Sequence, residues 1–279
     1  MPASKATPGG ARAGAAALPR PPATASSSLT RMLAVFDAFS AARPVLTAEE
    51  IMQRMGYSRG TAYRYVRELV AVGFLSRIAG SAYTLGPRII ELDLAIRQCD
   101  PLLSAGAPIM LAVRDKLHCD VLLTSFYGDR VIVTHHERGD DRIKVSFGRG
   151  RMMPLFLGAP SKAILAWLPV ARQRKLFAEH AGEIKAAGLG ASWEEFRSAL
   201  AAIRRLGYCV SHAELDPGNV GVAVPLNTDQ PGSTRGSLAL VFSDARYDIV
   251  DKSVVLETLR TAAGQAMQKI NTSKETGLP

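Results

Sequence analysis

The chain of 279 residues carries 34 Lys and Arg against 25 Asp and Glu, a formal net charge of +9 and a pI near 9.7. At roughly 100 to 200 residues per domain such a length predicts about two domains, and the basic excess makes nucleic acid the leading macromolecular partner. Cys99, Cys119 and Cys209 are too scattered for a disulfide framework and form no C-x-x-C pair, so a reducing cytoplasm is expected and neither a structural zinc nor a redox pair is. No uncharged apolar run reaches membrane-spanning length, and the apolar piece Ala13 to Leu18 is too short for a signal peptide.

Residues 1–27 are dominated by Pro, Gly, Ala and Ser and predict a disordered tail. From Ser28 the pattern changes: Leu29, Leu33 and Phe36, with Met32 and Phe39 beside them, form a helical apolar stripe that stops near Pro44. Thr47-Ala48-Glu49-Glu50 reads as a capping box opening a second helix, with Ile51 and Met55 on its buried side. Gly56 turns the chain into a third helix capped by Ser58. Between Tyr57 and Val72 this helix has two faces: Ala62, Val66, Leu69 and Val70 recur at helical spacing, and Gly60, Thr61, Arg64 and Arg67 fall opposite. An arginine forks onto a guanine edge and small residues permit close approach, so the second face suits a DNA major groove. Phe74 to Ile78 and Ala82 to Leu85 predict a hairpin across Ala79-Gly80-Ser81. Three helices and this hairpin make a winged helix-turn-helix, mainly α with a β-hairpin wing, over residues 28–86.

Tyr57-Ser58-Arg59-Gly60-Thr61-Ala62-Tyr63-Arg64, then Leu69, Gly73-Phe74 and Tyr83-Thr84-Leu85-Gly86, resemble the DNA-binding domain of IclR-type bacterial transcriptional regulators. The likeness continues through the rest of the chain beyond the tail. It implies a linker helix over 87–100, with Ile89, Leu92 and Ile96 on one stripe, that joins two domains and contributes to dimer packing. Periodicity alone fits an ordinary amphipathic helix equally well.

The remainder, 101–273, alternates runs of helix and strand: a helix from Leu102 to Leu117, strands over Val121 to Phe126, Arg130 to His136 and Ile143 to Phe147, and helices over Lys162 to Leu168, Ala171 to His180 and Trp193 to Leu206. Strands over Tyr208 to Ala213, Val220 to Leu226 and Ser237 to Ser243, and a helix from about Ile249 to Ile270, complete it before a flexible C-terminus at 274–279. Segregated strands and helices predict an α+β domain with an antiparallel sheet. The resemblance implies a GAF-like effector-binding domain.

Leu157 to Ala163 is a helix start, where Gly158 and Ala159 offer amides to an anion and Pro160 lacks one. In the family this loop and later strands bind small organic acids. Aligned on Gly218, Ser211 stands where members with small-acid effectors often carry Asp, and Gly221 where they often carry a polar residue such as Cys; Ser243 keeps the family's type. The departures favour a bulkier, aromatic acid, given room by Gly221 and apolar walls by Phe126, Phe156 and Phe242. Lys162 is expected to face solvent.

Adjacent His135 and His136 point to opposite faces of a strand, and His118-Cys119-Asp120 lacks chelating spacing. His212 is expected at the surface. No metal or other cofactor is therefore expected. The predicted function is a cytoplasmic regulator that binds double-stranded, pseudo-palindromic operator DNA as a homodimer or dimer of dimers under control of a small organic acid, with RNA polymerase among its conceivable partners. Ser58, Arg59, Thr61, Tyr63 and Arg64 grip the DNA, and Arg67 and the wing residues Arg77 and Ser81 hold phosphates. Two alternatives stay open: an enzyme acting on a small carboxylic acid with a DNA-binding appendage, which lacks any Gly-x-Ser-x-Gly elbow or paired-carboxylate motif, and a sensor working through a protein partner.

Overall fold

A computed structural model describes residues 27–139, 143–227 and 234–275; the expected tail, except for Ser27, and the last four residues of the expected flexible C-terminus lie outside them. The chain divides between Cys99 and Asp100 into two compact units.

The first unit begins with α1 (Ser28–Leu33), capped by the Ser27 hydroxyl, and tightens into a 3-10 turn over Ala34–Ala38. The single expected stripe is thereby broken. Three residues per turn rotate the later positions, so Val35 and Ala38 enter the core and Leu29 and Leu33 stay exposed. β1 (Leu46–Thr47) leads into α2 (Ala48–Met55), whose capping box is present in full: Glu50 N donates to Thr47 Oγ1 at 3.2 Å and Thr47 N donates to Glu50 Oε2 at 2.7 Å. Gly56, at φ +65°, takes the left-handed turn that a side chain would resist, and α3 (Arg59–Ala71) follows from its Ser58 cap. Ala62, Tyr65, Val66 and Leu69 of α3 are buried, the last three in one core with Val35, Leu46, Ile51 and Leu75. The wing is β2 (Leu75–Ile78) and β3 (Ala82–Leu85), and β1 adds a third strand in the order β1-β3-β2. α4 (Pro87–Cys99) closes the unit, with Ile90, Leu92, Leu94 and Ile96 exposed.

In the second unit Asp100 caps α5 (Pro101–Leu117) by accepting from Leu102 N and Leu103 N. A six-stranded antiparallel sheet runs β6-β5-β4-β9-β8-β7, formed by β4 (Asp120–Tyr127), β5 (Arg130–Glu137), β6 (Met152–Met153), β7 (Cys209–His212), β8 (Asn219–Asn227) and β9 (Thr234–Ser243). On one face α5 and α10 (Lys252–Glu275) pack over Val121, Leu123, Val222, Leu240 and Phe242. The other face carries α6 (Ala159–Trp167), α7 (Val170–Ala186) and α8 (Trp193–Leu206), which cover Leu122, Val131, Val133, Ala223, Ala239 and Val241. This is the expected α+β architecture with an antiparallel sheet, and it departs from expectation in two places. Ile143 to Phe147 is not a strand; Met152–Met153 makes the edge pairing instead. The expected C-terminal helix is present as α10, and a short helix that was not expected, α9 (Asp244–Ile249), precedes it and ends at the extended Val250.

Candidate DNA-reading face and ligand cavity

α3 presents its polar face from the Ser58 cap onward. Ser58 Oγ accepts from Thr61 N at 3.4 Å and donates to Thr61 Oγ1 at 2.9 Å, so the two hydroxyls are locked together at the helix start. The Arg59 guanidinium lies 5.5 Å from the Tyr63 ring centre and Arg64 5.3 Å from that of Tyr65. Tyr65 itself is buried, its hydroxyl 3.0 Å from Ser28 Oγ. Gly60, Tyr63, Arg64, Arg67, Arg77 and Tyr83 line one open cleft between α3 and the wing. Arg67 reaches Glu68 at 3.0 Å, and Arg77 Nη2 donates to Ser81 Oγ at 3.3 Å. Four of the eight expected DNA contacts (Tyr63, Arg64, Arg67 and Arg77) therefore line this cleft, Ser81 is bonded to one of them, and Ser58, Arg59 and Thr61 sit at the N-terminal end of the same helix. Three guanidinium groups around one opening make a surface suited to phosphates and guanine edges.

In the second unit a cavity of about 40 Å³ lies beside the start of α6. Leu122, Val145, Phe147, Met153, Leu215 and Val241 give it apolar walls, and Ser211, Glu214, Asp216, Asn219 and Gly221 its polar ones. The α6 amides expected to meet an anion already have partners. Gly158 N donates to Glu214 Oε2 at 2.8 Å, and Ala159 N to Ser211 Oγ at 2.9 Å. The other Glu214 oxygen, Oε1, accepts from Lys162 Nζ at 2.6 Å. Lys162, expected in solvent, is buried at 8% exposure. A buried ammonium requires a partner, and Glu214 supplies it from the loop that joins β7 to β8.

Gly158, Ala159, Ser211 and Gly221 are thus brought together, but Gly221 opens little space: a Cβ there would stand 3.0 Å from Ser211 Oγ and 3.6 Å from Ala159 Cβ. Phe156 packs into an aromatic cluster with His180 and Phe196, away from the cavity lining, and Phe126 also lies outside that lining. Ser243 caps α9, accepting from Arg246 N at 3.3 Å. Phe242 cannot be a wall of this cavity, because it points through the opposite sheet face into the core under α5 and α10; its neighbour Val241 fills that role. Glu214 and Lys162 were not legible as a pair, since 52 residues separate them and neither stands in a local motif.

The His136 side chain is buried with Nε2 2.7 Å from Asp120 Oδ2, and Gly139 N donates to the other oxygen of that carboxylate. His212 is exposed, as expected. Among the described residues no three His, Cys, Asp or Glu side chains are grouped to hold a metal, and no helix is long and apolar enough to cross a membrane. Burial pushes the Cys119 thiol up to about 12 and the Cys209 thiol to about 11.

A winged helix-turn-helix with an arginine-lined cleft, followed in one chain by an α+β domain with a cavity at a helix start, defines a DNA-binding transcriptional regulator with an effector-binding domain. The chain belongs to the IclR family of bacterial transcriptional regulators: residues 96–268 match the family model "Bacterial transcriptional regulator IclR C-terminal", and residues 28–79 match "IclR helix-turn-helix domain". It is a regulator and not an enzyme. The HTH-type transcriptional regulator KipR of Bacillus subtilis is 25% identical over 234 residues, covering 82% of this chain and 91% of KipR. The Pca regulon regulatory protein of Pseudomonas putida is 25% identical over 201 residues, 72% of this chain and 69% of that protein. Among solved structures, an IclR homolog of Microbacterium hydrocarbonoxydans complexed with 4-hydroxybenzoate shares the fold with a TM-score of 0.71 at 23% identity, over 88% of this chain and all (100%) of that one. The IclR-type regulator of Alicyclobacillus acidocaldarius matches with the same score and identity over 87% of this chain and 98% of that one.

Proposed function

We propose that α3 enters the major groove of a pseudo-palindromic operator. Ser58, Arg59, Thr61, Tyr63 and Arg64 face bases and the nearest phosphates, and Arg67, Arg77 and Ser81 hold the backbone. The cleft shared by Tyr63, Arg64, Arg67 and Arg77 is the observation that carries this reading. Two copies bind together as a homodimer or dimer of dimers. The exposed Ile90, Leu92, Leu94 and Ile96 of α4 support a partner on that helix, since four large apolar side chains on one helix are costly to leave in water. The protein works in the cytoplasm, where its DNA and RNA polymerase are.

The effector is a small organic acid, aromatic in preference to short aliphatic, bound at the cavity beside α6. Apolar walls from Phe147, Leu122, Val145 and Val241 support the aromatic class, as does the shared fold with a protein complexed with 4-hydroxybenzoate. Binding shifts the dimer between arrangements that space the two α3 helices differently.

Sequencing the DNA retained by the purified protein, with and without a panel of benzoates and short 2-oxo acids, tests both halves. A palindromic motif whose recovery changes with a benzoate is expected. Recovery of random DNA removes the operator reading, and calorimetry in which pyruvate or glyoxylate binds more tightly than every aromatic acid removes the aromatic one.

A further inference from the structure

We infer that Glu214 is a tethered stand-in for the effector's carboxylate, so that an acid enters the cavity by exchanging with the protein's own side chain. The inference rests on the proposed acid site beside α6 and adds the element that controls entry to it.

The Glu214 carboxylate makes the contacts a bound acid would seek. One oxygen takes the Gly158 amide at the head of α6, where the helix favours negative charge, and the other takes the buried Lys162 ammonium. Lys162 is the one charged side chain among the described residues of α6, and among the described residues Glu214 is the ion-pair partner it reaches, at 2.6 Å. A second free carboxylate beside Glu214 would meet like charge and find these two donors taken. The space is wanting as well. About 40 Å³ holds a few waters, far below the roughly 300 Å³ at which ligand pockets begin.

What fills the missing space is the same loop. Leu215 follows Glu214, and its Cδ1 stands 2.6 Å from where a Cβ on Gly158 would be, so the loop presses directly on the helix start. Ala213, at the root of the loop, sits at φ +50°, a left-handed conformation uncommon for a residue with a side chain. Beyond the leucine, Asp216 Oδ2 accepts from Ser146 N at 3.0 Å, and Asn219 Nδ2 donates to the Lys144 carbonyl at 2.9 Å. Ala213 N donates to the Asn219 carbonyl at 2.8 Å and closes the base of the segment, with the acid and the leucine between them directed at α6. Outward movement of Glu214 and Leu215 would vacate a charged slot and an apolar room together, the two features of an aromatic carboxylate.

Full-length wild type, Glu214→Ala and Glu214→Gln are compared by thermal unfolding in sodium acetate against sodium chloride at equal ionic strength, and by calorimetry with benzoate and 4-hydroxybenzoate. Acetate is expected to raise the Tm of Glu214→Ala above its value in chloride and to leave wild type unmoved. Glu214→Gln keeps the shape and the acceptor for Gly158 but releases Lys162, and should fold without rescue. If the slot is closed nine-tenths of the time or more, both variants bind the aromatic acids about tenfold tighter or better than wild type. An acetate effect no larger in Glu214→Ala than in wild type, or variants that bind the acids no tighter than a wild type that does bind them, would overturn the inference. Acetate rescue with no aromatic acid bound by any of the three proteins upholds the tethered carboxylate and instead removes the aromatic effector reading.

Discussion

The Tyr63 hydroxyl of α3 donates to Glu49 Oε1 of α2 at 2.5 Å, so the polar face of the reading helix is tied to the helix before it. This bond holds the Glu49 carboxyl below the usual carboxylate range and pushes the Tyr63 phenol up. A lowered acid stabilises the fold above its unfolded pKa and loses that contribution as the pH falls through the folded value. A raised phenol contributes below its unfolded pKa and loses its contribution as the pH rises. Tyr63→Phe should therefore show a stability deficit at pH 7 that shrinks below about pH 4 and again above about pH 10. Urea unfolding across that range measures it, and a deficit independent of pH would show that the pair is not coupled to protonation.

Arg64 and Arg67 share a cleft but should fail differently. Arg64→Ala is expected to cost about 1 to 3 kcal/mol on the operator and to relax selectivity at one base position. Arg67→Ala should weaken binding to all sequences alike and lower the dependence on salt by about one counterion. Fluorescence anisotropy on operator and scrambled duplexes at several salt concentrations separates the two. If Arg64→Ala changes neither affinity nor selectivity, the base-reading role falls and a protein-partner sensor regains ground.

Thr47→Ala removes one half of the capping box of α2 and should destabilise the first unit by about 1 kcal/mol. Thr47→Ser, which keeps the oxygen, should recover most of that loss. Chemical denaturation followed by circular dichroism gives both numbers.

Cys99 is exposed, whereas Cys119 and Cys209 are buried with thiols raised to about 12 and about 11. Thiolate is the reactive form. Brief alkylation of the native protein at pH 8 should label Cys99 alone, and denatured protein should label at all three; mass spectrometry of the peptides decides it.

Local chemistry carried most of the first unit into view. The Thr47 box, the Gly56 turn and the two faces of α3 are each decided by a few neighbouring residues. Harder positions were those whose partners are distant. Ile143 to Phe147 alternates like a strand, yet Val145 and Phe147 line the cavity, so a wall and a pleat leave the same pattern. Phe242 and Ser243 were both assigned to one site, although neighbours on a strand face opposite ways; parity alone would have directed the reading to Val241. Lys162 has the composition of a surface residue, and only the approach of Glu214 makes its burial possible.

The two strands at the centre of the effector-domain sheet, β4 and β9, meet across 113 residues, where Thr124 and Ser237 bond through their hydroxyls at 2.7 Å. During synthesis the first of these strands must therefore wait, unpaired on this side, until nearly the whole chain has left the ribosome. The winged unit has a core of its own, built from residues that lie well before β9 in the chain. A chain interrupted before Thr234 lacks β9 entirely. It would leave the winged helix-turn-helix followed by a sheet that has lost one of its two central strands.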